Sequence, residues 1–472
     1  MEREFDAIVI GAGPAGEVAA GRLAKRGGKQ VALVERNLVG GECSFYACMP
    51  SKALLRPAEL LNEVRRVPGA AQAVTGPLDV QAVLDRRDEV IHDLDDSAQL
   101  PWLEDRGIEL FRGSARLEGE RRVQVGDDLL TAREAVVLAV GTTAVMPPIP
   151  GLAEAGAWSN RQITTAKTVP ASLVILGGGV VGVEMAQAWA SLGAKVTVIE
   201  GADRLLEREE PFAAELVADG LRQLGVVLRI GVKASKVSRH DDVITVELED
   251  GSSASGERLL VAVGRKPLTA GLGLESVGLK GGDWISVDDQ LRVADQPWLY
   301  AVGDVNRRSL LTHAGKYQAR IAADVIIGEA GARAVVDGPG TPQVVFTDPQ
   351  VAAVGMTLAA ALEVGIKAVA IDLDTGGSAG GSFIGHGAPG TSRFVVDTER
   401  EVLVGVTFVG PEVGEWVQAA SIAVVGQVPL STLAHVIAPF PTRNELWLYF
   451  LEKYESERGL TLHASGASLR NP

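Results

Sequence analysis

An α/β fold with two Rossmann-like dinucleotide-binding domains is predicted by three observations. Two glycine turns each sit between an apolar strand and a helix, and a glutamate closes the strand that follows each one. The first unit reads "FDAIVIGAGPAGEVAAGRLAKRGGKQVALVER", with Ala7–Ile10 as its strand and Gly11, Gly13 and Gly16 as G-x-G-x-x-G. The first glycine permits the sharp turn, the second lets backbone approach a pyrophosphate, and the third lets helix and strand pack closely. The helix N-terminus that follows presents free N–H groups and a positive dipole end to phosphates. Glu35 ends the second strand, where a carboxylate can accept from both ribose hydroxyls. The pattern recurs in "ASLVILGGGVVGVEMAQAWASLGAKVTVIE", with the strand Leu173–Leu176, then Gly177, Gly179 and Gly182, and Glu200 closing the next strand. Two units in one chain predict two dinucleotides, one of them held permanently.

Length and composition bound the rest. A chain of 472 residues has room for about three domains. Hydrophobic content of 46% and charged content of 22% describe a globular protein with ample core. A net charge of −15 argues against nucleic acid or an anionic membrane as the main partner. The opening "MEREFDAIVIGAGPAGEVAA" carries acids and a glycine turn within its apolar run, unlike an export signal, and no stretch approaches ~20 uninterrupted apolar residues. The cytoplasm is the expected compartment.

Both cysteines of the chain lie in "GGECSFYACMPSK", with four residues between Cys43 and Cys48. Closing so short a loop would constrain little of the unfolded chain, which speaks against a staple. Two thiolates are half a zinc shell, and no Cys-x-x-Cys or close histidine pair completes it, so no metal site is expected. Two readings remain: a dithiol that opens and closes as part of chemistry, or two unpaired buried cysteines. A dithiol beside the first unit fits electrons passing from a nicotinamide, through a flavin, to a disulfide.

These stretches, followed in order by "LAVGTTAVMPPIPG", "GGGVVGVE", "VAVGRKP", "LYAVGDV", "LTHAGKYQAR" and "FTDPQVAAVG", resemble the flavoprotein disulfide reductases essentially end to end. That family includes dihydrolipoyl dehydrogenase, glutathione reductase and mercuric reductase. The resemblance implies an FAD-dependent, NAD(P)H-linked homodimer with its active site at the subunit interface, and a C-terminal α/β dimerisation domain. It implies that Cys48 is the flavin-proximal, charge-transfer thiol and Cys43 the interchange thiol that meets the acceptor. Both would sit at the start of a helix, whose dipole favours thiolate. Lys52 and Glu184 match the ion pair beside the flavin N5. Asp304, preceded by Gly303, would bind the ribityl chain; Leu311, Thr312, His313 and Ala314 would line the pyrimidine end, with His313 structural rather than a base. Pro14, Ala15, Arg36, Gly41, Glu42, Ala115, Ala139, Gly141 and Thr142 complete the implied FAD contacts. Gly264 and Arg265 would border the nicotinamide nucleotide. The implied division is 1–150 and 271–340 for FAD, 151–270 for the nicotinamide nucleotide, and 341–472 for dimerisation. Within the last part, 375–391 is glycine-rich and reads as a mobile loop, and His386 receives no catalytic role.

The chain departs from the family at its proton carrier. The family's C-terminal His-Pro-x-x-x-Glu reads here "IAPFPTRNELWLYF", with Phe440 in the histidine's place and Glu445 retained. His435 lies five residues upstream and cannot simply substitute. A missing general acid–base typically costs ~10²–10⁴-fold in rate. Mercuric reductase also lacks the histidine but has a C-terminal cysteine pair, absent from "HASGASLRNP", and a metal-binding leader domain is expected to be missing too. 2-Ketopropyl-coenzyme M oxidoreductase/carboxylase has phenylalanine at this site and an alanine matching Ala47, though it replaces the glutamate by histidine and has "PHH" where this chain has "PSK". Glu42 replaces the usual threonine; it would raise the Cys43 pKa if it points there, or else be solvated. Tyr46 could pack on the flavin or cover the disulfide.

The sequence therefore predicts an FAD-dependent enzyme using NADH, and NADPH less well, because Glu200 would repel a 2′-phosphate and no arginine follows it immediately, Arg204 lying four residues on. The acceptor would be a small molecule that needs no acid–base histidine: a small disulfide, a metal ion, a quinone or a thioether conjugate. Two alternatives stand beside it, a dihydrolipoyl dehydrogenase-like enzyme with impaired proton transfer and a flavoprotein redox sensor without significant turnover.

Overall fold

Near-continuous runs of β-branched and aliphatic residues, such as Val31–Glu35 with every residue buried, mark strands covered on both faces. They form a computed structural model that describes residues 1–388 and 390–464. Pro389 of the glycine-rich segment, and residues 465–472 of the expected dimerisation part, lie outside the described residues.

The larger sheet has eight strands. Its main path runs Arg292–Val293, Gln296–Ala301, Asp128–Leu138, Glu2–Ile10, Val31–Glu35 and Glu109–Arg112. All neighbours on this path are parallel except the first pair. The first strand begins at Glu2, five residues before the apolar run that predicted it. Helix Pro14–Lys25 opens with proline, whose missing N–H costs nothing in a first helical turn. Its Ala19, Ala20 and Leu23 share a core with Ala319, Ala322 and Ala323 of helix Thr312–Ile326. Small residues on both sides let these helices approach closely: a Cβ on Gly315 would lie 3.3 Å from the Ala15 Cβ.

The second unit is a four-stranded parallel sheet, Val227–Ile230, Lys195–Glu200, Ser172–Leu176 and Arg258–Val261. Helix Val180–Ser191 is buried without a break from Gly182 to Trp189. One core explains this: Met185 and Trp189 pack with Leu54 and Leu55 of helix Cys48–Arg66 as well as with their own sheet. Two smaller sheets were not foreseen. One is antiparallel, Ala234–His240, Val243–Leu248 and Ser253–Gly256. The other pairs Thr142–Ala144 with Arg265–Pro267 and so brings Thr142 and Arg265 together.

The C-terminal part is a five-stranded antiparallel sheet in the order Gln343–Val345, Gln350–Gly355, Val402–Gly410, Thr391–Asp397 and Ala368–Asp374. Helix Glu445–Arg458 covers it, with Phe450 stacked on Phe394 at 4.2 Å between ring centroids. Among the described residues no helix is long and apolar enough to cross a membrane.

Candidate active site

The two glycine turns open into one cleft of about 1760 Å³. At the first turn the backbone is folded as only glycine allows: Gly11 has φ +100°, and a Cβ there would lie 2.5 Å from the Ala139 carbonyl oxygen. A Cβ on Gly16 would lie 1.8 Å from the Gly11 oxygen, so this glycine serves packing and stands behind the cleft wall. Gly177 and Gly182 repeat the arrangement, with Gly182 likewise behind the wall. Gly179 faces open space instead, and a Cβ on Gly13 would meet only the Gly41 Cα, at 4.0 Å, which leaves the room a pyrophosphate needs.

The two acids match each other bond for bond. Glu35 accepts from Ala12 N and Asn37 N, each at 2.7 Å. Glu200 accepts from Gly178 N at 2.5 Å and Ala202 N at 2.7 Å. Each carboxylate is thus fixed by two backbone donors and keeps lone pairs for ribose hydroxyls. Arg204 also lines the cleft, and its guanidinium donates to the carbonyls of Glu207 and Glu209. The residues present fit an FAD at the first turn and a nicotinamide dinucleotide at the second.

Cys43 and Cys48 are both free thiols lining this cleft, each partly buried. Cys48 is the first residue of helix Cys48–Arg66, where the dipole favours an anion, whereas Cys43 lies inside the separate short helix Gly41–Phe45. The expectation that both thiols start one helix is therefore corrected, because the chain breaks between them at Tyr46 and Ala47. A bond from the Cys43 thiol, another from Thr312 and the nearby Lys52 charge lower the Cys48 pKa to about 6, against the cost of burial. The same shared bond, with burial, pushes the Cys43 thiol up. Thr312 Oγ1 lies 3.5 Å from Cys48 Sγ.

Lys52 Nζ donates to Glu184 Oε2 at 2.7 Å, and Glu184 is buried. Phe346, from the C-terminal part, completes this pair in two ways. Its backbone N–H donates to Glu184 Oε1 at 3.0 Å, and Lys52 Nζ sits 4.6 Å from its ring centroid. Phe346 falls in the quoted "FTDPQ" stretch, but nothing local in the sequence marks it as the partner of residues so distant. Asp304 lines the cleft and accepts from Thr142 Oγ1 at 2.7 Å; burial pushes its carboxyl above the usual range against that bond and the Arg265 charge.

Glu42 overturns both expectations for it. Its carboxylate turns to Arg161 Nε at 2.5 Å, Arg265 at 2.8 Å and Asn160 Nδ2 at 3.1 Å. Burial raises its pKa, but the Arg265 charge and bonds from both arginines prevail and hold it below the usual range. Tyr46 lies under the Arg161 guanidinium, 4.6 Å from ring centroid to carbon, and its carbonyl accepts from Asn160 and Thr164. Asn160, Arg161 and Thr164 were not anticipated, since no motif marks them.

Other expected contacts fall as follows. Pro14, Ala15, Arg36, Gly41, Ala115, Ala139, Gly141, Gly264, Gly303, Leu311 and His313 line the cleft, whereas Ala314 is buried behind it. His313 Nε2 is 2.7 Å from the Pro342 carbonyl, a structural bond. Phe440 and Glu445 do not line the cleft of their own chain. Phe440 is 76% exposed, beside Ile437 at 91%. Glu445 is only 7% exposed, and among the described residues its Oε2 has no hydrogen-bond partner. Among the described residues no group of three or more histidine, cysteine or acidic side chains could hold a metal ion.

Comparison with known proteins agrees with this geometry. Residues 5–319 match the family model for pyridine nucleotide-disulphide oxidoreductases, and residues 341–448 match that family's dimerisation domain. Dihydrolipoyl dehydrogenase of Haloferax volcanii is 33% identical over 97% of both chains. Mercuric reductase of Staphylococcus aureus is 29% identical over 94% of this chain and 81% of its own. The Cu(II) complex of the HOCl-induced flavoprotein disulfide reductase RclA from Escherichia coli superposes with a TM-score of 0.84 at 27% identity, covering 96% of this chain and 99% of that one. With two nucleotide turns, a dithiol beside the first and a matching dimerisation domain, the chain belongs to the FAD-dependent pyridine nucleotide-disulphide oxidoreductases.

Proposed function

We propose that this enzyme passes electrons from NADH, through FAD and the Cys43/Cys48 pair, to an acceptor that needs no proton from a histidine. The single observation that carries this is Glu445: a buried carboxylate with an oxygen that has no hydrogen-bond partner among the described residues, in a motif whose imidazole is replaced by exposed Phe440. A thiophilic metal ion such as Cu(II) or Hg(II) meets that requirement, since its reduction releases no thiolate to be protonated. So does a disulfide whose leaving thiolate is stable unprotonated. The similarity to a mercuric reductase, and to a flavoprotein disulfide reductase solved as a Cu(II) complex, supports the metal-ion form.

In this reading FAD, when bound, supplies the two-electron relay between nicotinamide and sulfur. The residues around it bind and orient. Glu35 and the first glycine turn hold its ribose and pyrophosphate, and Asp304 its ribityl chain. Glu200 and the second turn hold NADH. Lys52, fixed by Glu184 and faced by the Phe346 ring, keeps a positive charge beside the thiols. Thr312 and Lys52 keep Cys48 as the thiolate, and Cys43 meets the acceptor. The division into 1–150, 151–270, 271–340 and 341–472, the pairing of two chains through the last part, and a cytoplasmic setting belong to the same proposal.

Steady-state NADH oxidation with a panel of Cu(II), Hg(II), an aromatic disulfide, lipoamide and a quinone tests it. Thiol-dependent turnover of the first three, lost in Cys43→Ser, supports the reading; lipoamide as the fastest acceptor overturns it. The second reading, a dihydrolipoyl dehydrogenase with slow proton transfer, is favoured by the Haloferax volcanii relative and would show itself as that last outcome.

A further inference from the structure

Two of the guanidinium groups lining the dithiol cleft, those of Arg161 and Arg265, are held by one carboxylate. Glu42 occupies Arg161 at 2.5 Å and Arg265 at 2.8 Å, and all three line the same cleft as Cys43 and Cys48. Arg265 also donates to the Thr142 hydroxyl at 2.6 Å, and Asp304 lies 3.9 Å from it. Arg161 lies over the Tyr46 ring with 36% of its side chain exposed. A free guanidinium here would be a fork for a carboxylate, because it offers paired N–H donors in a plane. The residue next to the interchange thiol fills both forks.

We propose that Glu42 selects the acceptor by charge: it withholds Arg161 and Arg265 from anionic acceptors and leaves the dithiol cleft to neutral and cationic ones. This deepens, and rests on, the reading that Cys43 meets its acceptor in this cleft. The selection works through exclusion as much as attraction. An anion approaching these residues meets the Glu42 carboxylate and finds Arg161 and Arg265 paired, whereas a metal cation meets no repulsion from either paired guanidinium.

The test uses the holoenzyme with NADH and two aromatic disulfides, the dianion 5,5′-dithiobis(2-nitrobenzoate) and the neutral 4,4′-dithiodipyridine. Each is reduced by the same steps. The Cys43 sulfur attacks and one aryl thiolate leaves; Cys48 then attacks Cys43 sulfur, the second thiolate leaves, and the Cys43–Cys48 disulfide forms. Overall NADH plus disulfide gives NAD⁺, a proton and two aryl thiolates. Neither leaving group requires protonation, so the test is independent of Phe440.

Glu42→Gln keeps the shape and removes the charge. It should lower the ratio of KM for the dianion to KM for the neutral disulfide at least ~10-fold, equivalent to ~1.4 kcal/mol. Glu42→Gln/Arg161→Gln should return much of the dianion's KM, which a merely structural role for Glu42 would not do. FAD content per chain, measured in parallel, reports folding. Parallel changes for both disulfides, or no rescue by the double variant, would overturn the inference while leaving the reading of the cleft intact. A fall in KM for NADH alone would overturn it too, assigning the arginines to the coenzyme. Wild type that reduces neither disulfide would remove the reading of the cleft, and this inference with it.

Discussion

Cys48 Sγ lies 3.5 Å from Thr312 Oγ1, so the thiol at the head of its helix has a hydroxyl proton within reach. With the bond from Cys43 and the charge of Lys52, this keeps Cys48 ionised down to about pH 6. Because the pKa is lowered, the thiolate is present above that pH and lost below it. The long-wavelength charge-transfer band of the two-electron-reduced holoenzyme should therefore fade as pH falls through about 6. Thr312→Val and Lys52→Met should each move that midpoint upward, read by titrating the band.

Single cysteine variants separate the two sulfurs. Cys43→Ser should show the charge-transfer band without reductant, since Cys48 then has no disulfide partner. Cys48→Ser should lack it under all conditions. NADH oxidation by quinones should survive both changes, because it bypasses the thiols. Wild type that passes to fully reduced flavin with no such band would mean that the pair is not redox-active.

The parts of this site that follow from local backbone chemistry were legible in the sequence. Gly11, Gly16, Gly177 and Gly182 occupy positions where a Cβ would strike backbone, so their spacing alone announces the turns. Glu35 and Glu200 close strands, so their place follows from counting. Glu42 was not legible, because its partners Arg161 and Arg265 come from segments more than a hundred residues away and obey no spacing. Phe346 is similar: the docking of the C-terminal sheet, not any local pattern, sets it on Lys52 and Glu184. The small Thr142–Ala144 and Arg265–Pro267 ribbon was missed because three-residue strands leave no periodicity to read.

Coenzyme choice follows from Glu200. Its two oxygens are fixed by Gly178 and Ala202 N–H groups, and Arg204 is engaged by carbonyls. A 2′-hydroxyl can donate to this carboxylate, while a 2′-phosphate meets its charge. NADH should therefore exceed NADPH by at least ~10-fold in kcat/KM, and Glu200→Ala should narrow the gap mainly through KM for NADH, about 1.4 kcal/mol for each factor of ten. A higher kcat/KM for NADPH in wild type would contradict the assignment.

The central claim is that proton transfer, not electron transfer, sets what this enzyme reduces. Phe440→His places an imidazole five residues before Glu445, whose buried Oε2 has no hydrogen-bond partner among the described residues. The new base would have a pKa near neutrality, suited to moving protons to and from thiols. The decisive measurement is lipoamide reduction by NADH in wild type and Phe440→His, with quinone reduction as the control and dimer content checked alongside. The account predicts a rise of at least ~10-fold with lipoamide, a modest share of what a positioned base supplies, and little change with quinone. Rapid lipoamide turnover in wild type that Phe440→His leaves unchanged would contradict it.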